Sequence, residues 1–137
     1  MTSSLETGLT TTAHIIVEES RTISFMGDEG KVYATPELAW DIEMTCRDLL
    51  LGHLDEGQDS VGTHVEISHM AATPMGMWVD ITVTVSALDG RAVNFEISAR
   101  DPLEQICRAS HTRFIVDVAK TFARLKTKID AVAAAEA

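Results

Sequence analysis

Three residues have the types and the spacing to do chemistry: His69, Glu43 and Thr35. His69 closes the segment VGTHVEISH, which alternates with period two. That period sends Val61, Thr63, Val65, Ile67 and His69 to one face of a strand and Gly62, His64, Glu66 and Ser68 to the other. His69 therefore points to the buried side, where loss of water disfavours imidazolium and lowers its pKa. The ordinary reading is a core histidine with one backbone hydrogen bond; the other is a functional one. Glu43 lies among apolar neighbours in PELAWDIEMTCRDLLLG. One reading pairs it with Arg47, four residues on, as a surface ion pair. The other makes it a buried carboxylate near a histidine, a candidate general base or nucleophile. Thr35 precedes Pro36-Glu37, the strongest helix start in the chain, and its type is explained by an N-cap role alone. A helix N-terminus also offers unpaired N–H groups to a carbonyl or an anion. Thr35 and Glu43, eight residues apart, lie ~80° apart around a helix and ~12 Å apart along it, so they can border one elongated groove.

The remaining candidates carry less. His64, Glu66 and Ser68 share a strand face, yet no matching cluster of metal ligands occurs elsewhere, so no metal is expected. Cys46 and Cys107 are too few for a disulfide framework and lack a basic partner that would make a thiolate, so both read as packing residues. His111 and Arg113 share one strand face; they are structural or reach a ligand phosphate.

The elements that must position these residues follow from periodicity. Residues 1–12, rich in Thr and Ser, read as a loose tail, and HIIV (14–17) as a first strand. Gly27 and Gly30 mark a loop, with SFMGDEGKVYAT as a short polar lead into the helix. The helix runs from Pro36 to Gly52, its natural stop. Its apolar residues cover most of the circumference, which predicts burial on more than one side. Strand patterns follow at 61–69, 78–86 and 93–99, with Asp89-Gly90 as a hairpin turn. A last strand spans 106–118, and a C-terminal helix spans 119–135. The result is one α+β domain over residues 1–137: a long helix wrapped by an antiparallel sheet of about five strands, with a second copy supplying the remaining cover.

Composition sets the outer bounds. The chain has 137 residues, 45% hydrophobic and 23% charged, which fits one globular domain. Acidic residues outnumber basic ones 21 to 11, for a net charge of -10, and no basic run exists, so nucleic acid is excluded as the expected partner. No apolar stretch approaches the ~20 residues of a membrane span. The first residues lack the pattern of a signal peptide, and a reduced, cytoplasmic setting is the default expectation.

Several of these residues recur together in a known order: Tyr33-Ala34-Thr35-Pro36, Glu43 eight residues after the threonine, Val61-Gly62-Thr63, then Ser68-His69-Met70-Ala71-Ala72-Thr73-Pro74 with Gly76. The sequence from about Val32 to Val118 resembles the hotdog-fold acyl-CoA thioesterases, specifically their fluoroacetyl-CoA thioesterase-like branch. The resemblance implies a hotdog fold and a homodimer, or a tetramer built from two such dimers. It implies hydrolysis of an acyl-CoA thioester without a cofactor, using Thr35, Glu43 and His69 as the catalytic set. Gly62, Thr63, Gly76 and Arg113 are then the candidate substrate-binding residues. An anionic CoA also calls for local positive charge, with Arg91, Arg100, Arg108 and Arg113 as candidates. The competing expectation is a non-catalytic hotdog domain that binds an acyl-CoA or similar ligand.

Overall fold

Alternating β-branched residues build the strands, and their sequence order differs from their order in space. In the computed structural model, which describes residues 2–137, the strands are β1 (Thr10–Ile16), β2 (Gln58–His69), β3 (Trp78–Asp89), β4 (Ala92–Arg100) and β5 (Gln105–Asp117). They form one antiparallel sheet in the order β1-β3-β4-β5-β2. The β3–β4 hairpin turns at Gly90, whose φ of +59° suits glycine.

Helix α1 (Thr35–Leu51) lies against this sheet through Leu38, Ile42, Cys46 and Leu50, spaced four residues apart on one buried stripe. These pack with Val79, Ile81, Val83, Phe95 and Ile115 of the sheet in a single core. The arrangement is the expected α+β one, a long helix held by a five-stranded antiparallel sheet. The helix is not covered all round, however: Trp40 is 59% exposed. The sheet covers one side, and Arg21 and Tyr33 reach Asp41 beside it, while the face carrying Trp40 stays open. Helix α2 (Val118–Glu136) follows β5 directly and has no buried residue; its apolar side chains Phe122, Leu125 and Ile129 are all exposed.

Two expectations are corrected. The first concerns residues 1–12, which are not all a loose tail. Thr10 and Thr12 belong to β1 and bond the hydroxyls of Thr84 and Thr82 across the ladder, while Leu5 and Leu9 pack against the core. Facing threonines hold strands through hydroxyl pairs, a signal that an apolar period misses. The second concerns the face assignment in β2. Gly62 pairs with Arg113 and His64 with Thr112, so Thr63 is a bulged extra residue. Alternation therefore reverses at the bulge. Ser60 and Gly62 face the helix before it, and Ile67 and His69 face inward after it, leaving Val61 and Thr63 exposed.

Candidate active site

Thr35 starts α1, but its hydroxyl caps nothing: the residue before the helix is Ala34, and no side chain bonds the first-turn N–H groups. Pro36, which has no N–H, removes one of those demands. The freed Thr35 Oγ1 instead lies 2.8 Å from His69 Nδ1. Several bonds aim the segment that delivers Thr35. Tyr33 N–H donates to Thr73 O and Ala34 N–H to Arg21 O, both at 2.8 Å. Arg21 donates from Nε and Nη2 to the two oxygens of Asp41, and the Tyr33 hydroxyl donates to the same carboxylate. Burial and the bond to Asp41 push the Tyr33 phenol far above its ordinary range, so it stays a donor. Its ring then meets the His69 ring edge-on, with centroids 6.4 Å apart.

Burial lowers the His69 pKa, which keeps the imidazole neutral. Nδ1 is satisfied by Thr35, while Nε2 is buried with no hydrogen-bond partner. A neutral imidazole bonded on one nitrogen presents the other as a single acceptor or a single donor. Thr35 and His69 line a cavity of about 330 Å³ together with Ile23, Phe25, Ala34 and Ala71. The lead into the helix is thus not only polar, since Ile23 and the 81%-exposed Phe25 wall this space.

Glu43 belongs to a second cluster, further along α1. Arg47 is not its partner: Arg47 donates to both oxygens of Asp59, at 3.0 and 2.7 Å. Glu43 faces β5 and β2 instead, with Oε1 4.0 Å from both Arg113 Nη1 and His111 Nε2. Gly62 makes this approach possible. A Cβ there would lie 2.5 Å from Glu43 Oε1 and 3.1 Å from His111 Cε1. Arg113 is buried and donates to Ser60 Oγ at 2.6 Å and Ser60 O at 2.8 Å. Burial holds its pKa below the usual guanidinium range, with the Glu43 charge opposing that shift.

The structure therefore brings Thr35 to His69, and Glu43 to Gly62 and Arg113. It leaves the two groups at separate stations on α1, ~12 Å apart along the axis by helix geometry. Thr63 bonds Thr112 O through its hydroxyl and is exposed on the bulge. Gly76 serves the turn into β3, with φ +94° and its N–H bonded to Val17 O. Among the arginines, Arg91 is engaged with Asp117 and Ile115 O, and Arg113 alone of the four candidates lies against Glu43. Cys46 and Cys107 are buried, with thiols pushed up to about 12 and about 11, and act as packing residues. Among the described residues no group of three or more His, Cys, Asp or Glu is placed to hold a metal, and no helix is long and apolar enough to cross a membrane. Sequence reasoning missed Ser60, Asp41 and Phe25, and gave Tyr33 a place in a motif but no role. Ser60 had a signal, since it stands two residues before Gly62 on the same face.

The model of the fluoroacetyl-CoA-specific thioesterase family (FlK) matches residues 17–119. The chain is 30% identical over 101 residues to the fluoroacetyl-CoA thioesterase of Streptantibioticus cattleyicolor, covering 74% of this chain and 73% of that protein. A variant of the fluoroacetyl-CoA-specific thioesterase, solved with fluoroacetate and CoA, superposes with a TM-score of 0.79 at 26% identity, over 85% of this chain and 99% of that one. A thioesterase superfamily member of Thermus thermophilus does so with a TM-score of 0.82 at 26% identity, over 94% and 98%. The five-stranded sheet, the long helix α1 packed on it and the match over residues 17–119 agree: this chain belongs to the fluoroacetyl-CoA-specific thioesterase family of hotdog-fold proteins.

Proposed function

We propose that this protein hydrolyses an acyl-CoA thioester with Thr35, Glu43 and His69 as the reacting set. The observation that carries the proposal is the 2.8 Å contact between Thr35 and His69, with the buried, unpartnered His69 Nε2 beside an apolar-walled cavity. A thioester carbonyl held there meets a hydroxyl, a neutral imidazole and the start of α1. In hydrolysis, oxygen adds to the carbonyl carbon, the tetrahedral oxyanion collapses, the C–S bond breaks, and CoA leaves as a thiol after taking a proton. Glu43 fits the first step. Its carboxylate takes the proton of an attacking water, or itself attacks the carbon to give an anhydride that water then opens. His69 and Thr35 hydrogen-bond the reacting group, and backbone N–H groups hold the oxyanion. CoA is part of the substrate and not a resident cofactor. The cavity of about 330 Å³, with Ile23 and Phe25 in its wall, suits a small or medium acyl group.

The same reading makes the enzyme a homodimer. Glu43 is 32% exposed at its side chain and Trp40 stands beside it on the uncovered side of α1. The neighbouring edge strand β2 exposes Val61 and Val65. A second copy laid across this edge covers the open side of the helix. If the two α1 helices run antiparallel, Glu43 of one protomer comes toward the Thr35–His69 pair of the other. That closes the ~12 Å gap which one helix alone imposes.

The test is thiol release from a panel of acyl-CoAs, acetyl to palmitoyl and phenylacetyl, with wild type and Glu43→Gln side by side. Turnover on one member, reduced about 10²–10⁴-fold in the variant with binding retained, is the expected result. No turnover on any member, with thermal shifts on the same ligands, makes the protein a binding domain instead.

A further inference from the structure

We propose that His111 is a positioning residue of this site: as a neutral ring with its proton on Nδ1, it fixes the Arg113 cation beside Glu43. The inference rests on the thioesterase reading for the role of Glu43, and on geometry alone for the state of His111. His111 is 1% exposed and stacks on Phe95, with ring centroids 6.4 Å apart. Its Nδ1 lies 2.7 Å from His64 O, and a carbonyl oxygen only accepts. Nδ1 therefore carries the proton. Its Nε2 lies 3.1 Å from Arg113 Nη1, and a guanidinium nitrogen only donates. Nε2 must therefore be bare. Two partners of opposite demand thus select one tautomer and exclude imidazolium, whose second N–H would face an N–H donor. Burial acts in the same direction and lowers the His111 pKa.

The consequence falls on Arg113. Its Nε and Nη2 are held by Ser60, and Nη1 by His111, all neutral groups. None of these partners cancels its charge. The nearest carboxylate oxygen is Glu43 Oε1, at 4.0 Å. The cation is thus fixed in place by hydrogen bonds that leave its field directed at the reacting carboxylate. The bulge in β2 contributes too, because the carbonyl that receives His111 belongs to His64, immediately after the bulged Thr63. Other charged and titratable groups around the pair are Cys46 and Arg47 on α1, and Asp59 and His64 on β2.

Two substitutions separate the two ends of the ring. Glutamine places an acceptor where Nε2 stands, and asparagine places a donor where Nδ1 stands. His111→Gln is expected to keep kcat within about threefold. His111→Asn keeps the bond to His64 but frees Arg113, and kcat should fall at least tenfold with KM changed less than threefold. A purely structural role predicts equal loss of Tm in both variants and no such split in kcat. The second readout does not depend on turnover: long-range ¹H–¹⁵N spectra of wild type should show His111 as the Nδ1–H tautomer, still neutral where an ordinary histidine is protonated. An Nε2–H tautomer, protonation of His111 near its ordinary pH, or full kcat in His111→Asn overturns the proposal. If no acyl-CoA is hydrolysed, the thioesterase reading falls and the catalytic role of His111 falls with it, while the spectra still decide the His111–Arg113 contact.

Discussion

Gly62 and Glu43 interlock: a methyl group on Gly62 would stand 2.5 Å from Glu43 Oε1. The nearest atom is the tip of a flexible side chain, the His111 ring at 3.1 Å has to give by only a few tenths of an ångström, and Gly62 is not at positive φ. Gly62→Ala is therefore expected to leave the fold intact, with Tm within a few degrees of wild type, and to displace the Glu43 carboxylate. kcat should fall at least tenfold. Thermal melts and acyl-CoA kinetics on one preparation decide the matter; unchanged kcat would remove this approach from the reaction path.

Thr35 makes a narrower prediction. Its hydroxyl bonds His69 rather than the helix backbone. A hydrogen bond to a group that carries charge in the transition state is worth ~1.5–3 kcal/mol, or roughly 10- to 150-fold in rate. Thr35→Ala should lose that factor in kcat with little change in Tm, because no cap is removed. Thr35→Ser, which keeps the hydroxyl, should stay within a few-fold of wild type. Equal loss in both variants would assign the effect to packing of the threonine methyl.

Most of the fold was legible because it rests on local periodicity. Val79, Ile81, Val83 and Val85 against Asp80, Thr82 and Thr84 could only be a half-buried strand, and Pro36 with Gly52 bracketed the helix. The catalytic candidates were legible through a family resemblance more than through pattern, which left Glu43 and His69 with bland alternatives. Illegible features were those decided by non-local partners. Nothing local says that Arg47 will choose Asp59 over Glu43, since both partners are sterically available until β2 is placed. The bulge at Thr63 has no sequence mark beyond Gly62, yet it decides which residues of β2 see the helix. The Tyr33–Asp41–Arg21 network joins three segments that meet only once the sheet is closed.

Stability should depend on pH through two histidines, the buried His111 and the half-buried His69. Burial holds His69 and His111 below their ordinary range. In the unfolded chain each takes up a proton near pH ~6.5. Below that pH the unfolded state binds more protons than the folded one, so stability falls as pH drops. The slope is at most about 1.4 kcal/mol per pH unit for each histidine. Above pH ~6.5 both states hold these rings neutral, and the contribution is flat. Asp59 acts lower: the bond from Arg47 depresses its carboxyl, and that stabilisation disappears only below the ordinary carboxylate range. Melts from pH 8 to 5 should show Tm flat and then falling, and the fall should shrink in a His69→Asn, His111→Gln double variant. A Tm that rises on acidification would contradict the neutral assignment of both rings.

The separation of Thr35–His69 from Glu43 yields a prediction that activity loss in single variants cannot. Within one helix these residues stand ~12 Å apart along the axis, too far for one carbonyl to meet both. If the site is composite, Thr35→Ala and Glu43→Gln homodimers are each strongly impaired, for different reasons. A heterodimer of the two variants then contains one site with both defects and one with none. The intact site draws Thr35 and His69 from the Glu43→Gln chain, and Glu43 from the Thr35→Ala chain. Mixing the unfolded variants in equal amounts and refolding should give half heterodimers, hence about a quarter of wild-type activity per chain. Size-exclusion chromatography with light scattering establishes the dimer, and the refolded mixture is assayed against each variant alone. Activity no higher than the mean of the two parents would mean that each chain builds its own site, with substrate bridging the gap within a protomer.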